Sequence, residues 1–385
     1  AGIDMTLGLS NYVYGDHLAD FVASGAWPMS ALDAQVTNVL RLYDRVGLLG
    51  GNRAKGEIAT AAHARVAKQT VSASSTLLKN TDVLPYTGRG AVLVTGPGAE
   101  QVMFGGGSGN VNNGEGNISL LKGLTEALGA SRIVRAESPG AAPELVVYAV
   151  NGVSQHEDHD QPGIALDSQQ IAEIRALAAT TDRLVLVVQT GSAVDLSPVA
   201  DVADAILVTW FGGQEFGRGA ADVITGKAEP EGRLPVTLAP IDSFPTELAG
   251  TWPAVLTRDE HPGGGEAKVP TAGALRFPTL AYRAAYQEGL LIGYRWFDKR
   301  KLRVTYPFGF GLGYTRFTAS DLAVAPTGEG MRFTVRLTNV GPRDGSTVLQ
   351  LYAAQPGAEG DRPDRILRGF AKVAVRRGGE SQIGR

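Results

Sequence analysis

The stretch Leu145-Val146-Val147-Tyr148-Ala149-Val150-Asn151-Gly152-Val153-Ser154-Gln155-His156-Glu157 decides the fold. Its first six residues are apolar without alternation, the pattern of a strand covered on both faces. The chain then turns polar at once. Runs of the same apolar kind stand at 91–95, 184–188 and 205–209. Between them, 119–128 and 168–180 read as amphipathic helices. The second puts Ile171, Ile174, Leu177 and Ala178 on one stripe, with Asp167 ahead of it as N-cap. Short buried strands alternating with helices predict an α/β domain built on a parallel sheet.

Upstream, Leu32, Val36, Val39, Leu40 and Tyr43 recur at helical spacing and predict a helix over 30–46. Ser30 with Asp33 reads as its capping box, and Gly47 sits where a left-handed stop belongs. Downstream, Pro240, Pro245, Pro253, Pro262, Pro270, Pro278 and the Gly263-Gly264-Gly265 triplet predict a long irregular loop. After Phe317 the period changes to two. Phe333, Val335 and Leu337 alternate with Arg332, Thr334 and Arg336, and short runs at 348–352 and 372–375 complete the pattern of a small β-sandwich.

Composition narrows the function classes. The chain has 385 residues with 43% hydrophobic and 19% charged side chains, enough for two or three cored domains. A net charge of −3 with no Lys/Arg run points to neither a nucleic-acid nor a membrane-surface partner. No stretch approaches the roughly 18 apolar residues of a membrane span. The absence of cysteine excludes disulfides and thiolate metal sites.

Three glycine-rich or charged segments could carry chemistry. Gly96-Pro97-Gly98 follows a strand as a dinucleotide fingerprint would, but Gln101 stands at the third glycine and Pro97 has no amide to offer a phosphate. It reads as a structural turn. Gly105-Gly106-Gly107-Ser108-Gly109 fails the spacing of a nucleophile elbow, since Asn110 takes the last position. It reads as a flexible loop tip or as backbone that approaches a ligand, with Ser108 supplying a hydroxyl. The third, His156-Glu157-Asp158-His159-Asp160, follows the 145–150 strand, at the end where α/β proteins place ligands. A solvated acidic loop, a carboxylate acid/base and an N/O metal site built from His156, Asp158 and Asp160 all fit it.

Several segments taken in order resemble family 3 glycoside hydrolases. Ala1-Gly2-Ile3-Asp4-Met5 is similar to the AGxDM segment of the barrel, and Leu77-Leu78-Lys79-Asn80 with Leu84-Pro85 to the LLKN…LP entry into the second domain. Gly105 to Gly109 resembles the GGGSG loop, and Glu157-x-x-Asp160 the E-G-x-D-R segment that carries the acid/base. Trp210, Gly212, Gly213, Gln214, Glu215 and Gly217 resemble W-x-x-G-Q-E-x-G, and Gly232-Arg233-Leu234-Pro235-Val236-Thr237 resembles GRLPVT. Glu288-Gly289, Gly293-Tyr294-Arg295 and Tyr306-Pro307-Phe308-Gly309-Phe310-Gly311-Leu312 follow EG…GYR…YPFGxGL. Leu349-Gln350-Leu351-Tyr352 and Gly369-Phe370 resemble the fibronectin-type module of the same enzymes.

The resemblance implies a parallel-sheet α/β sandwich domain, a small fibronectin type III-like β-sandwich, and N-terminal helices that are the tail of a TIM-like barrel. Its implied boundaries are 1–50 for the barrel tail, 51–245 for the α/β domain, 246–316 for loop and linker, and 317–385 for a sandwich cut short. It implies retaining hydrolysis of terminal β-linked sugars, most simply a β-glucosidase. A barrel aspartate upstream of Ala1 would be the nucleophile and Glu157 the acid/base. Ser108 and Gly107 would contact the sugar or Glu157, with His156, Asp158 and Asp160 flanking it. Asp158 stands where the family has glycine and Gln161 where it has arginine, so two adjacent carboxyls share a loop with less cationic anchoring. On this reading the chain is a fragment, inactive alone, that takes a glycoside or oligosaccharide, needs no cofactor or metal, and leaves a homodimer open. The competing reading is a non-catalytic carbohydrate-binding or scaffold protein built from the same domains.

Overall fold

The computed structural model describes residues 3–5, 16–51, 56–111, 114–135, 142–157, 163–244, 288–328, 330–354, 357 and 360–384. The chain divides into two units, residues 1–60 with 256–283, and residues 61–255 with 284–385. The proline-rich loop expected over 240–280 lies outside the described residues beyond 244. No helix among the described residues is long and apolar enough to cross a membrane.

In the first unit, helices α1 (Asp16–Ala23) and α2 (Met29–Arg45) follow each other. The helix expected over 30–46 is therefore present, but its start is different. Pro28 occupies the N-cap with φ −70° and no side chain caps it, so Ser30 lies inside the first turn and forms no capping box. Pro28 has ψ 138°, the extended backbone of an N-cap, so the helix begins at Met29 and both Ser30 and Asp33 fall inside it. The stop is as expected. Gly47 has φ +73°, its N–H reaches Asp44 O, and Leu48 N–H reaches Tyr43 O, the paired bonds of a Schellman turn.

The second unit begins with α3 (Ala61–Ser74) and carries a six-stranded sheet. Its strands are β1 (Thr76–Asn80), β2 (Val92–Thr95), β3 (Ile133–Val134), β4 (Leu145–Asn151), β5 (Leu184–Gln189) and β6 (Ala205–Val208), in the order β1-β6-β5-β4-β2-β3. The four apolar runs of the sequence are the four inner strands, all parallel. Antiparallel β1 and two-residue β3 form the edges.

Alternate residues feed two separate cores. Val147, Ala149, Val185 and Val187 point to the face covered by α4 (Leu120–Leu128) and α6 (Phe216–Ile224), where Leu124, Phe216 and Val223 are fully buried. Val146, Tyr148, Leu184 and Leu186 point to the other face, closed by Ile174 of α5 (Ser168–Ala178) and by Leu196. Each buried Val, Leu, Ile or Phe among them contributes about 1.5–3 kcal/mol of transfer free energy, so both faces must be apolar and the runs cannot alternate. Asp167 caps α5 as expected, its Oδ1 accepting Gln169 and Gln170 N–H.

After helix α7 (Tyr294–Arg300) comes the sandwich. Strands β7 (Phe317–Thr327), β8 (Gly330–Asn339) and β11 (Glu380–Gly384) form one sheet, and β9 (Gly345–Ala353) with β10 (Ile366–Val375) the other. It is fastened to the α/β layer by a buried carboxylate. Glu229 accepts Thr315 N–H at 2.9 Å and pairs with Arg343 at 3.1 Å, while Arg343 also donates to Gly226 O.

Candidate active site

Strand order fixes where a ligand can sit. From β2 the chain moves outward to β3, whereas from β4 it moves the opposite way to β5 and β6. The crevice beyond the C-terminal ends of β2 and β4 is thus the switch point of the sheet, where α/β proteins bind ligands. The loop after β2 carries residues 96–110 and the loop after β4 carries 152–157.

These two loops meet. Ser108 donates both its N–H, at 2.6 Å, and its Oγ hydroxyl, at 2.5 Å, to Glu157 Oε2. Gly106 N–H donates to Gln155 O at 2.8 Å. Both partners of the carboxylate contact are exposed, so the carboxyl faces out of the crevice and not into the core. The glycines are needed for this approach. A Cβ on Gly107, whose φ is +65°, would lie 2.5 Å from Glu157 Cβ, and one on Gly106 would lie 1.8 Å from His156 Cδ2. Gly105 and Gly109 have no such conflict.

The structure therefore joins Glu157, Ser108, Gly107 and His156 in one patch. Asp158 and Asp160 lie outside the described residues. No group of three or more metal-ligating side chains occurs among the described residues. Gly96-Pro97-Gly98 is a turn. Gly98 is wedged against Asn151 Oδ1 and Gln189 Nε2, where a Cβ would sit 2.8 and 2.9 Å away.

Sequence reasoning missed the residues beneath the loops. Gln189, fully buried at the end of β5, holds the post-β2 segment through its amide. Thr190 Oγ1 accepts Val153 N–H, and Gln170 exchanges two hydrogen bonds with the backbone of Asn151. The ring of Phe211 lies against Gly191, where a Cβ would be 2.5 Å from it. The available signal was an amide closing an apolar run.

The other glycine motifs serve as joints. Leu234 N–H reaches Phe310 O and Gly309 N–H reaches Leu234 O, so the 232–237 and 306–312 segments pair with each other. Gly123 and Gly217 let α4 and α6 touch backbone to backbone.

A family model for the glycosyl hydrolase family 3 C-terminal domain matches residues 75–314, and one for the fibronectin type III-like domain matches 347–383. A beta-glucosidase of Rhizobium radiobacter is 36% identical over 265 residues, covering 67% of this chain and 30% of that protein. Thermostable beta-glucosidase B of Acetivibrio thermocellus is 27% identical over 409 residues, covering 100% of this chain and 50% of that protein. The chain thus spans half or less of the length of these two curated relatives. Among solved structures, beta-glucosidase 3B from Thermotoga neapolitana in complex with glycerol gives a TM-score of 0.78 at 22% identity, over 97% of this chain and 56% of that one. The GH3 beta-glucosidase of Bifidobacterium adolescentis gives 0.75 at 25% identity, over 96% and 53%. With the first family model spanning more than half of its length, the chain belongs to glycosyl hydrolase family 3.

Proposed function

We propose that this chain supplies the acid/base side of a retaining exo-β-glycosidase, a β-glucosidase, with Glu157 as the acid/base. The observation that carries the reading is the double donation from Ser108 to Glu157 Oε2 at the switch-point crevice. A backbone N–H cannot accept, so Oε2 is the acceptor side of the carboxyl and the transferable proton rides on Oε1. Glycosylation then runs by proton transfer from Oε1 to the leaving oxygen while a nucleophilic carboxylate bonds to the anomeric carbon. In deglycosylation Glu157, now ionised, takes a proton from water that attacks the same carbon as its bond to the nucleophilic carboxylate breaks. The nucleophile, on this reading, belongs to a part of the protein outside residues 1–385, and these residues alone turn over no glycoside. A retaining pair must stand about 5–5.5 Å apart, so Glu157 has to reach a neighbouring domain. An exposed carboxyl on a post-strand loop meets that demand, and a pure scaffold has no need of it.

The test is Glu157→Ala in the full-length protein. Glycosides with poor leaving groups should lose about 10²–10⁴-fold, the usual contribution of general acid catalysis, and those with very acidic leaving groups far less. Azide, which needs no base, should restore turnover as the β-glycosyl azide. Azide rescue at Asp158→Ala or Asp160→Ala, and not at Glu157→Ala, would transfer the role to that aspartate.

A further inference from the structure

We infer that Gln189 is the positioning residue of this site, a single buried carboxamide that sets where Ser108 meets Glu157. The inference rests on the acid/base reading of Glu157. Gln189 ends β5 and is 0% exposed. Its Oε1 accepts Met103 N–H at 3.0 Å, and its Nε2 donates to Gln101 O at 3.1 Å and Gly98 O at 3.4 Å. Those three partners lie on the segment that leads from β2 into the 105–109 glycines.

The other loop hangs from the same residue. Gln189 O accepts Gly152 N–H at 2.7 Å, the next residue's Thr190 Oγ1 accepts Val153 N–H at 3.2 Å, and Gly191 N–H reaches Val153 O at 3.0 Å. The side chain of Gln189 thus holds the segment that leads to Ser108, and its main chain, together with Thr190 and Gly191, holds the segment that leads to Glu157. Strand β5 lies next to β4 but not next to β2. The amide must therefore reach past the end of β4, and the bare Cα of Gly98 leaves it room to do so.

The chemistry selects glutamine. The slot needs one acceptor for an N–H and two donors for carbonyls, at the end of a three-carbon reach. Methionine fills the volume and satisfies none of them. Glutamate can accept from Met103, but when ionised it faces two carbonyl oxygens with a negative charge. When neutral it regains one donor.

In the full-length protein, Gln189→Met should lower kcat/KM by about 10²-fold on aryl glycosides with poor leaving groups, the scale of a ~1 Å misplacement. Dinitrophenyl glycosides, which need little protonation, should change only a few-fold. Gln189→Glu should approach wild-type activity at acid pH and lose it as the new carboxyl ionises, moving the alkaline limb that Glu157 already sets to lower pH. A residue that merely holds the fold would instead lower all substrates in parallel with the folded fraction read by circular dichroism. If Glu157→Ala shows leaving-group dependence but Gln189→Met loses all substrates equally, the inference is overturned and the acid/base reading stands. If Glu157→Ala itself shows no leaving-group dependence, the acid/base reading falls and takes the inference with it. Should Gln189→Met fail to fold, the pH profile of Gln189→Glu decides, and a profile superimposable on wild type overturns the inference.

Discussion

Gly107→Ala is the sharpest probe of the proposed site, because the structure sets its size. Two effects add. An alanine at φ +65° carries the left-handed penalty of roughly 1–2 kcal/mol. Its Cβ would also stand 2.5 Å from Glu157 Cβ and 2.6 Å from Oε2, where ordinary contact begins near 3.4 Å. Clearing the first contact requires a shift of 3.4 − 2.5 = 0.9 Å between the loop and Glu157. Misplacement of a catalytic group by about 1 Å costs about 10²-fold, equivalent to ~2.7 kcal/mol of transition-state stabilisation. The expected result in the full-length protein is therefore a 10²-fold loss of kcat/KM on aryl β-glucosides with poor leaving groups. The loss of unfolding free energy should not exceed the backbone penalty. Gly109→Ala is the internal control, since a Cβ there meets nothing within 4 Å and its φ is not positive. If the two variants lose activity equally, contact with Glu157 is not what the glycine provides and the steric argument fails.

Two predictions concern stability. Asp167→Ala removes the acceptor of Gln169 and Gln170 N–H at the start of α5 and should cost about 1 kcal/mol in urea unfolding, with no leaving-group dependence in activity. An unchanged midpoint would mean that the cap carries no stability. Burial pushes Glu229 above its ordinary value of 4.5, against the opposing pull of Thr315 N–H and Arg343. A carboxyl raised by folding adds stability that is full below its ordinary value and is lost as pH rises through the folded one. Relative to wild type, Glu229→Gln should therefore gain in stability as pH climbs from about 4.5 to 7, read by thermal melts. A variant that falls further behind with rising pH would show that the Arg343 pair outweighs burial.

The inner strands were legible because burial on both faces demands continuous apolar residues, and β2, β4, β5 and β6 all obey it. The edges were not. In β1 only Leu77 and Leu78 are apolar, and Lys79 turns away to the carbonyls of Ala200 and Asp201. Nothing local shows that this strand runs antiparallel to β6. The helix start at Pro28 was not legible, because Ser30 and Asp33 have capping chemistry wherever they fall and only the backbone decides whether they use it. At the site, Glu157 and the glycines could be named from their loop and from the family resemblance. Gln189 could not, since its partners at Gly98, Gln101 and Met103 are close only once β5 lies beside β4.

Glycine-rich motifs in this chain separate by position on the sheet, and that separation has a functional consequence. Gly232 and Gly311 sit where backbones cross. A Cβ on the first would meet Ser74 O at 2.1 Å, and on the second Gly232 O at 2.4 Å. Both neighbours are backbone, which cannot yield as a flexible side chain can. Substitution there must move whole segments and should lower stability while leaving the balance between leaving groups unchanged. Gly106 and Gly107 instead press on side chains, those of His156 and Glu157, at the exposed rim of the switch-point crevice. Substitution there moves the groups proposed to do chemistry and spares the core. The same residue type, equally crowded in both places, thus reports on folding in one and on proton transfer in the other. The distinction follows from whether the neighbour is a carbonyl inside the fold or a carboxyl at the end of the sheet.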